Sequence, residues 1–155
     1  MLLLIRILGK FGLGVVTKNW HGDLVLAAGI SVSNVLNMAE AEAKAILEGA
    51  RLAVARGLVT LCIESDALNV VKLCNGISST KCSLDNIIHD IHVICKSFDI
   101  VSISHIFRNC NMVARNIFKW ALDLNSSTIW FNAFPSWLRK LVVSDVALSV
   151  GPNRI

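Results

Sequence analysis

The sequence predicts an α/β fold in which a mixed sheet is flanked by helices. Three observations lead to this prediction. Segments rich in valine and glycine come first, a long alanine-rich stretch follows, and short apolar runs then alternate with amphipathic stretches. Strand hairpins followed by alternating strands and helices are typical of such an architecture. The predicted element order is β-β-β-α-β-α-α-β-α.

The composition indicates one ordered domain that does not cross a membrane. Of the 155 residues, 54% are hydrophobic and 17% are charged, which excludes a disordered chain. The uncharged run at residues 24–38 contains several polar residues and is too short to cross a bilayer. No targeting signal is evident, so we expect a location in the cytosol or nucleus. The formal net charge of +4 slightly favours a polyanionic partner.

The first half of the chain supplies three predicted strands and a long helix. The opening "MLLLIRILGK" is interrupted by Arg6 and is interpreted as a strand, not as a signal peptide. The segments "FGLGVVTK" and "NWHGDLVLAAGIS", the second with a turn at His21-Gly22, predict a hairpin. Strong helix formers predict a helix from Met38 to Arg56, and Gly57 is its expected terminator.

The second half alternates strands and helices. "LVTLCI" predicts a short buried strand, and "ALNVVKLCNG" a short helix that ends near Gly76. Ser83 is the expected cap of the next helix, in which isoleucines recur at helical spacing. "DIVSISHIF" predicts another strand and "NMVARNIFKWALDL" a last helix. We therefore expect a domain over residues 1–124 and a tail over residues 125–155 that packs on the domain or trails it.

Two carboxylates are the main candidates for chemistry. The stretch "LCIESDALNVV" begins as a buried strand and then runs into Glu64-Ser65-Asp66. Sites in α/β proteins are built at such strand exits. Glu42 lies among alanines in "AEAKA" and can approach another element closely. If Glu42 and Asp66 converge, they suit a hard divalent cation such as Mg²⁺. The alternative is that Glu42 faces solvent and Asp66 caps the following helix.

A second possible ligand set is less suited to a metal. His89, His92 and Cys95 recur at every third position of a predicted helix. At about 100° per residue, these side chains spread over roughly 120° of the helix surface. They therefore converge poorly on one ion, and a helix with polar residues beside its isoleucine face is the simpler interpretation.

The order and spacing of several motifs resemble a known family, the ribonuclease H-like domain found in many plant proteins and related to retrotransposon ribonuclease H. The resemblance covers about residues 10–147 and includes the tail "IWFNAFPSWLRKLVVSDV". The family's "AE-A-x-A-L-x-x-G" helix and its "ESD" strand end are matched here by "AEAKAILEG" and "ESD". Its later "H-x-x-R" and "N-x-x-A" motifs are matched by His105, Arg108, Asn111 and Ala114.

The resemblance implies a ribonuclease H-like fold with a five-stranded mixed sheet and an activity toward RNA–DNA hybrids. In this family, four acidic residues hold two divalent ions, usually Mg²⁺ and otherwise Mn²⁺, for hydrolysis of the RNA strand. Glu42 and Asp66 match two of the four acidic positions and are the implied catalytic and metal-binding residues. Arg108, Asn111 and Arg115 are the implied substrate-binding residues. The implied partner is nucleic acid, either a hybrid or RNA, and we expect a monomer.

The chain departs from the family at the other two acidic positions. The first strand, which usually carries "DGS" or "DAS", is truncated or altered here, because no acid precedes Asp23. The fourth acidic position falls on Arg115, which adds positive charge where cations should bind. Asp23, Glu40 and Glu64 are acids that could compensate, although their spacing does not indicate it. Two hypotheses stay open: a working hybrid ribonuclease, and a catalytically impaired or vestigial nucleic-acid-binding domain.

Basic side chains near the matched segments could contact a nucleic-acid backbone. The candidates are Lys10, Lys18, Lys81, Arg108, Arg115 and Lys119. The alternative is that they are ordinary solvated surface charges.

Overall fold

The computed structural model describes residues 2–9, 12–19, 21–31, 36–78, 83–124, 127–131 and 133–149. Its strands are β1 (Leu2–Gly9), β2 (Gly12–Lys18), β3 (Leu24–Ser31), β4 (Thr60–Ser65), β5 (Ile100–His105) and β6 (Thr128–Trp130). Its helices are α1 (Met38–Ala55), α2 (Leu68–Cys74), α3 (Asp85–Cys95), α4 (Met112–Leu124) and α5 (Ser136–Ser149). A short 3₁₀ turn, Arg108–Cys110, lies between β5 and α4.

The strands form a mixed sheet in the order β5-β4-β1-β2-β3-β6. β1 runs parallel to β4 and antiparallel to β2, and β4 runs parallel to β5. The α/β class and the five predicted strands are therefore confirmed, and β6 extends the sheet beside β3. β1 is eight residues long and pairs with both neighbours. A first strand therefore lies in the sheet between β4 and β2.

Helix α1 begins and ends at local signals in the sequence. The side chain of Asn37 accepts a hydrogen bond from the Glu40 amide at 2.9 Å, and Glu40 accepts one from the Leu36 amide at 3.2 Å. This arrangement is a variant of the capping box, because Glu40 reaches the amide of Leu36 and not that of the cap residue Asn37. After the helix, Gly57 has a φ of 70°, and its amide bonds back to the Val54 carbonyl. Glycine adopts this left-handed conformation without strain, which explains why the predicted helix ends there.

Helix α3 begins differently from the prediction. Its N-terminal flanking residue is Leu84, and no side chain caps the helix, so the expected Ser83 cap is wrong. Leu84 is buried in the core beside Ile88 and Ile91. Apolar packing, and not a hydroxyl cap, therefore fixes the start of this helix.

The sheet is covered on both faces. Val15 and Val16 are neighbours in β2 and both are fully buried, yet they belong to two different apolar clusters, because successive strand residues point to opposite faces. One cluster joins the sheet to α1, α2 and α3, and includes Ile46 and Ile63. The other joins it to α4 and α5, and includes Ile117.

The segment after α4 packs against the rest of the molecule. β6 pairs with β3, and α5 inserts Leu138 into the cluster beneath α4. Three tryptophan rings meet there: Trp120 lies 4.8 Å from Trp130 and 6.4 Å from Trp137, centroid to centroid. Within the described residues, no helix combines the length and the apolar character that crossing a bilayer requires.

Candidate active site at the end of β4

A cleft of about 600 Å³ opens where β4 and β5 end and α1 and α2 begin. Parallel strands place their carboxyl ends at one edge of the sheet, which is where α/β proteins build sites. The lining residues are Met38, Ala39, Glu42, Asp66, Ala67, Leu68, Asn69, Val70, His105, Phe107 and Arg108. The structure thus brings together three of the predicted site residues: Glu42, Asp66 and Arg108.

Glu42 is held inside the protein by the alanine-rich face of α1. Ala41, Ala43 and Ala45 around it are fully buried, and Glu42 itself is 4% exposed. Small neighbours let α1 lie close to the sheet, so this carboxylate reaches the cleft and not the surface. The alternative that Glu42 faces solvent is therefore wrong.

Asp66 lies at the exit of β4 and does not cap the following helix. The amide of Ala67 donates to the Ser65 hydroxyl at 3.1 Å, so Ser65 organises the turn. The N-terminal flanking residue of α2 is Ala67, and no side chain caps that helix. The Asp66 side chain is 6% exposed, and its Oδ2 is a buried atom without a hydrogen bond. The capping alternative for Asp66 is therefore wrong as well.

Arg108 is the cation beside this carboxylate. Its Nε lies 3.9 Å from Oδ2 of Asp66, and its side chain is 68% exposed. The distance is too long for a hydrogen bond, so the contact is a loose ion pair of the kind that contributes little stability. The Ile106 amide bonds to the Ser65 carbonyl at 2.9 Å. This bond ties the exit of β5 to the exit of β4 and brings Arg108 over Asp66.

The carboxylate pair has the donor chemistry of a site for one divalent cation. Oε2 of Glu42 and Oδ2 of Asp66 are buried atoms in the same cleft. Carboxylate oxygens are the ligands that Mg²⁺ prefers, and a buried carboxylate is costly unless a cation or hydrogen bonds compensate it. A carboxylate separation of about 4–7 Å, as bridging of a common ion requires, stays a prediction. Among the described side chains, no three acidic, histidine or cysteine groups converge as a metal site.

The first acidic position of the family has no counterpart in β1. In the parallel ladder, Arg6 is in register with Glu64 and Ile7 with Ser65. The ladder ends at this pair, and a register continued by one residue would put Leu8 opposite Asp66. Strand β1 itself carries no acidic residue at any position.

The residues at the start of α4 lie outside the cleft lining. Arg115 is half-buried in the first turn of α4, and its amide bonds to the Asn111 carbonyl at 3.2 Å. Asn111 is fully buried and links the 3₁₀ turn to α4, since its own amide bonds to the Arg108 carbonyl at 3.1 Å. Neither residue is among those that line the cleft. Their roles in substrate binding stay predictions.

The other acids that could compensate are engaged elsewhere. Glu40 belongs to the capping box and contacts Nζ of Lys44 at 2.8 Å, and this hydrogen bond lowers the pKa of Glu40 below its ordinary value. Asp23 is held in the turn between β2 and β3 by hydrogen bonds with Asn19. Glu64 lies within β4 and is absent from the cleft lining.

The basic candidates are dispersed. Lys10 and Lys81 lie outside the described residues. Lys18 is buried, which removes it as a groove-lining residue. Lys119 is exposed on α4. Among the described candidates, Arg108 is the one that lines the cleft.

Sequence reasoning missed one residue at the mouth of the cleft. Phe107 is 75% exposed, and its ring packs at 5.9 Å and 79° against the ring of His105. The sequence signal is an aromatic residue two positions after the end of β5, at the edge of the sheet where a site is predicted. The predicted strand "DIVSISHIF" includes Phe107, so the sequence did not indicate a separate role for this residue.

Comparison with known proteins places this geometry in a family. Residues 8–121 match the family model described as reverse transcriptase-like. No curated protein matches the chain.

Three solved structures show the same fold. Ribonuclease H1 from the halophilic archaeon Halobacterium salinarum NRC-1 aligns with a TM-score of 0.75 at 21% identity, over 79% of this chain and 98% of that one. LC11-RNase H1 in complex with an RNA/DNA hybrid aligns with a TM-score of 0.72 at 18% identity, over 79% of this chain and 98% of that one. The N-terminal RNase H domain of a Mycobacterium tuberculosis protein aligns with a TM-score of 0.69 at 17% identity, over 81% of this chain and 99% of that one. The chain belongs to the reverse transcriptase-like family and has the fold of ribonuclease H.

Proposed function

We propose that this chain is a ribonuclease H-like domain that binds RNA–DNA hybrids and is impaired in their hydrolysis. One observation carries the proposal: Glu42 and Asp66 lie buried in one cleft with Arg108, whereas β1 supplies no acid. The resemblance assigns the family's fourth acidic position to Arg115. The chain keeps half of the family's acidic site and has lost the other half.

Three features support nucleic acid as the partner. The family and fold are those of ribonuclease H, and one structural neighbour, LC11-RNase H1, is in complex with an RNA/DNA hybrid. The chain carries a formal net charge of +4. The exposed guanidinium of Arg108 lies at the cleft and has the geometry to bind phosphate oxygens.

The residues of the cleft divide into two roles. Glu42 and Asp66 would together hold one Mg²⁺ or Mn²⁺, which when bound supplies charge stabilisation at a phosphoryl oxygen. Arg108 neutralises Asp66 when no substrate is present, and its exposed side chain can move to a phosphate when substrate binds. Both carboxylates have low exposure, and a less polar surrounding strengthens their attraction for cations.

Electrostatics explains why hydrolysis is impaired. A site for two divalent ions gathers about four positive charges in one pocket, which the family balances with acidic side chains and substrate phosphate. Here two matched carboxylates remain in the cleft, and Arg115, the residue at the implied fourth acidic position, is a cation outside the cleft lining. One ion would lack its ligands.

A second candidate function is a working hybrid ribonuclease. The observation that favours it is that both carboxylates are buried and that Asp66 does not cap α2. Natural proteins seldom bury carboxylates without a purpose, because the desolvation cost is high.

Hybrid binding at increasing salt concentrations tests the proposal. Fluorescence anisotropy with a labelled RNA–DNA hybrid in EDTA should show binding that weakens with salt, because phosphate contacts release counterions. Arg108→Gln should weaken binding and reduce the salt slope. Arg51→Gln is the matched control, since Arg51 is an exposed arginine paired with Glu48 on α1, away from the cleft. Absence of binding, or an affinity that does not change with salt concentration, would contradict the proposal.

A further inference from the structure

We propose that the cleft accepts one unpaired nucleotide, with its base stacked on Phe107 and its phosphate on Arg108. This inference rests on the proposed function and narrows it, because it selects unpaired nucleotides over continuous duplex. It follows from four features of the cleft: the exposure of an aromatic ring, the packing of that ring, the charge beside it and the size of the cavity.

The first feature is the apolar mouth of the cleft. Phe107 is the most exposed of its apolar lining residues, and Met38 and Leu68 are also exposed. The carboxylates of Glu42 and Asp66 lie buried below this rim. A cleft that gripped only a phosphate backbone would be expected to carry polar and basic groups at its mouth.

The second feature is the way the Phe107 ring is held. The rings of Phe107 and His105 meet edge to face, with 5.9 Å between centroids and 79° between planes. This arrangement leaves at least one face of the phenyl ring uncovered, in agreement with its high exposure. Because the His105 contact limits rotation, the ring is pre-oriented as a stacking surface.

The third feature is the neighbouring charge. Arg108 follows Phe107 in the chain, is itself largely exposed and lies 3.9 Å from Asp66 at its Nε. An aromatic face for a base next to a guanidinium for a phosphate is the combination by which proteins bind single-stranded nucleic acids. The exposed apolar residues alone would suit a peptide, but the adjacent guanidinium of Arg108 favours a ligand that carries a phosphate.

The fourth feature is size. A cavity of about 600 Å³ lies within the range of about 300–1,000 Å³ that small-molecule sites occupy. Inside a duplex, the faces of each base are covered by the bases above and below. Within the body of a duplex a side-chain ring therefore cannot stack on a base, whereas an unpaired base in a single strand or an overhang leaves its face open.

The test compares three labelled probes of one sequence in EDTA: single-stranded RNA, a blunt RNA–DNA hybrid, and the same hybrid with a short RNA overhang. Fluorescence anisotropy should give tighter binding to the overhang hybrid than to the blunt one. Phe107→Ala should weaken binding of the single strand and of the overhang hybrid by about 5- to 30-fold, which corresponds to about 1–2 kcal/mol of stacking. Its binding of the blunt hybrid, in which only the two terminal pairs expose a base face, should change least.

Three control variants make the result specific. Phe107→Tyr should keep the wild-type affinities, because it retains the ring, whereas Phe107→Leu should behave like Phe107→Ala. Ile77→Ala replaces a similarly exposed apolar residue outside the cleft and should change nothing. Since Phe107 is on the surface, its variants should melt within a few degrees of the wild type.

The outcomes separate this inference from the proposed function. If no probe binds the wild-type chain, the proposed function fails and the inference fails with it. If the probes bind but Phe107→Ala equals the wild type, or weakens all three probes equally, the inference alone is overturned. Wild-type affinity in Phe107→Leu would also overturn it, because the contact would then be apolar without stacking.

Discussion

The two halves of the acidic site differ in what has been kept. In the half formed by α1 and β4, Glu42 and Asp66 are buried in one cleft, and a capping box and the Ser65 turn fix the segments that carry them. In the half formed by β1 and α4, the backbone is equally well placed: β1 pairs on both sides, and α4 buries Ala114 and Ile117 against the sheet. We propose that the acidic side chains of that half are missing, because β1 carries no acid and residue 115 is an arginine.

This difference teaches that the fold and the chemistry depend on separate parts of the sequence. Strand pairing needs only backbone groups, and helix packing needs only apolar residues, so the fold tolerates loss of the acids. Clustered carboxylates repel one another, and their replacement costs a protein little stability. A chain of this kind can keep the architecture of a nuclease after losing its catalytic ligands.

The largest expected effect comes from restoring the missing half. Arg115→Asp together with Leu8→Asp should raise hybrid cleavage in Mg²⁺ by at least about 100-fold, because even indirect partners of metal ligands change activity by about 10- to 100-fold. Arg115→Asp alone should strengthen Mg²⁺ binding without full activity, because β1 would still supply no ligand. Cleavage of a labelled hybrid, followed on gels, measures the activity of the double and the single variant.

Adding Asp66→Asn to the restored variant provides the control and should abolish the gain. If the restored variant stayed inactive although it folded and bound Mg²⁺, the loss of activity would have a cause other than the two missing acids.

Core truncations test whether both halves support the fold equally. Ile46 in α1 and Ile117 in α4 are both fully buried, but they lie in different clusters. Ile46→Ala and Ile117→Ala should each lower the free energy of unfolding by about 2–5 kcal/mol, through lost burial and the cavities left behind. Urea denaturation followed by circular dichroism gives both values. A loss below about 1 kcal/mol for Ile117→Ala alone would mean that the α4 half is loosely packed.

A smaller effect is expected from the cation beside Asp66. Arg108→Gln should raise the affinity for Mn²⁺ by about 2- to 5-fold, because it removes a positive charge that competes for Asp66, and exposed pairs of this kind contribute about 0.2–1 kcal/mol. Electron paramagnetic resonance of free Mn²⁺ measures the affinity. Arg51→Gln should leave it unchanged, and Asp66→Asn should abolish binding. Weaker Mn²⁺ binding in Arg108→Gln would show that Arg108 supports the site instead of competing with the ion.

The smallest effect concerns the start of α1, which positions Glu42. Lys44 lowers the pKa of Glu40, so the ionised carboxylate is favoured in the folded state. A lowered folded pKa gives stability that is present above the ordinary pKa of about 4.3 and is lost as the pH falls through the lowered value. The melting temperature of Glu40→Gln should therefore lie below that of the wild type near neutral pH and converge with it in acid. Lys44→Gln should reduce the same pH dependence, and an unchanged pH profile in both variants would contradict the assignment.

Local signals in the sequence predicted the segments that build the retained half. Alanine-rich periodicity and Gly57 predicted α1 to within one residue of its C-terminal end. The abrupt change from apolar to acidic residues after β4 predicted where Asp66 lies. Both features depend on short stretches of chain, which is why sequence reasoning found them.

The features that sequence reasoning missed depend on packing between distant segments. Whether Asp66 or Ser65 organises the turn into α2 is decided by the geometry of the strand exit. The burial of Lys18 and the pairing of β6 with β3 depend on which strands become neighbours. The ion pair of Arg108 with Asp66 requires β5 to end beside β4. None of these follows from periodicity or composition.

Cleavage of a labelled RNA–DNA hybrid by the unmodified chain, beside Asp66→Asn and in Mg²⁺ and Mn²⁺ separately, tests the central claim most directly. The claim is that a chain with two of the four acidic residues binds an RNA–DNA hybrid but does not hydrolyse it. It predicts that the unmodified chain binds the hybrid and cleaves it no faster than Asp66→Asn does in either metal. Robust cleavage by the unmodified chain that Asp66→Asn abolishes would contradict the claim, because the acids missing from β1 and α4 would then not be needed for hydrolysis.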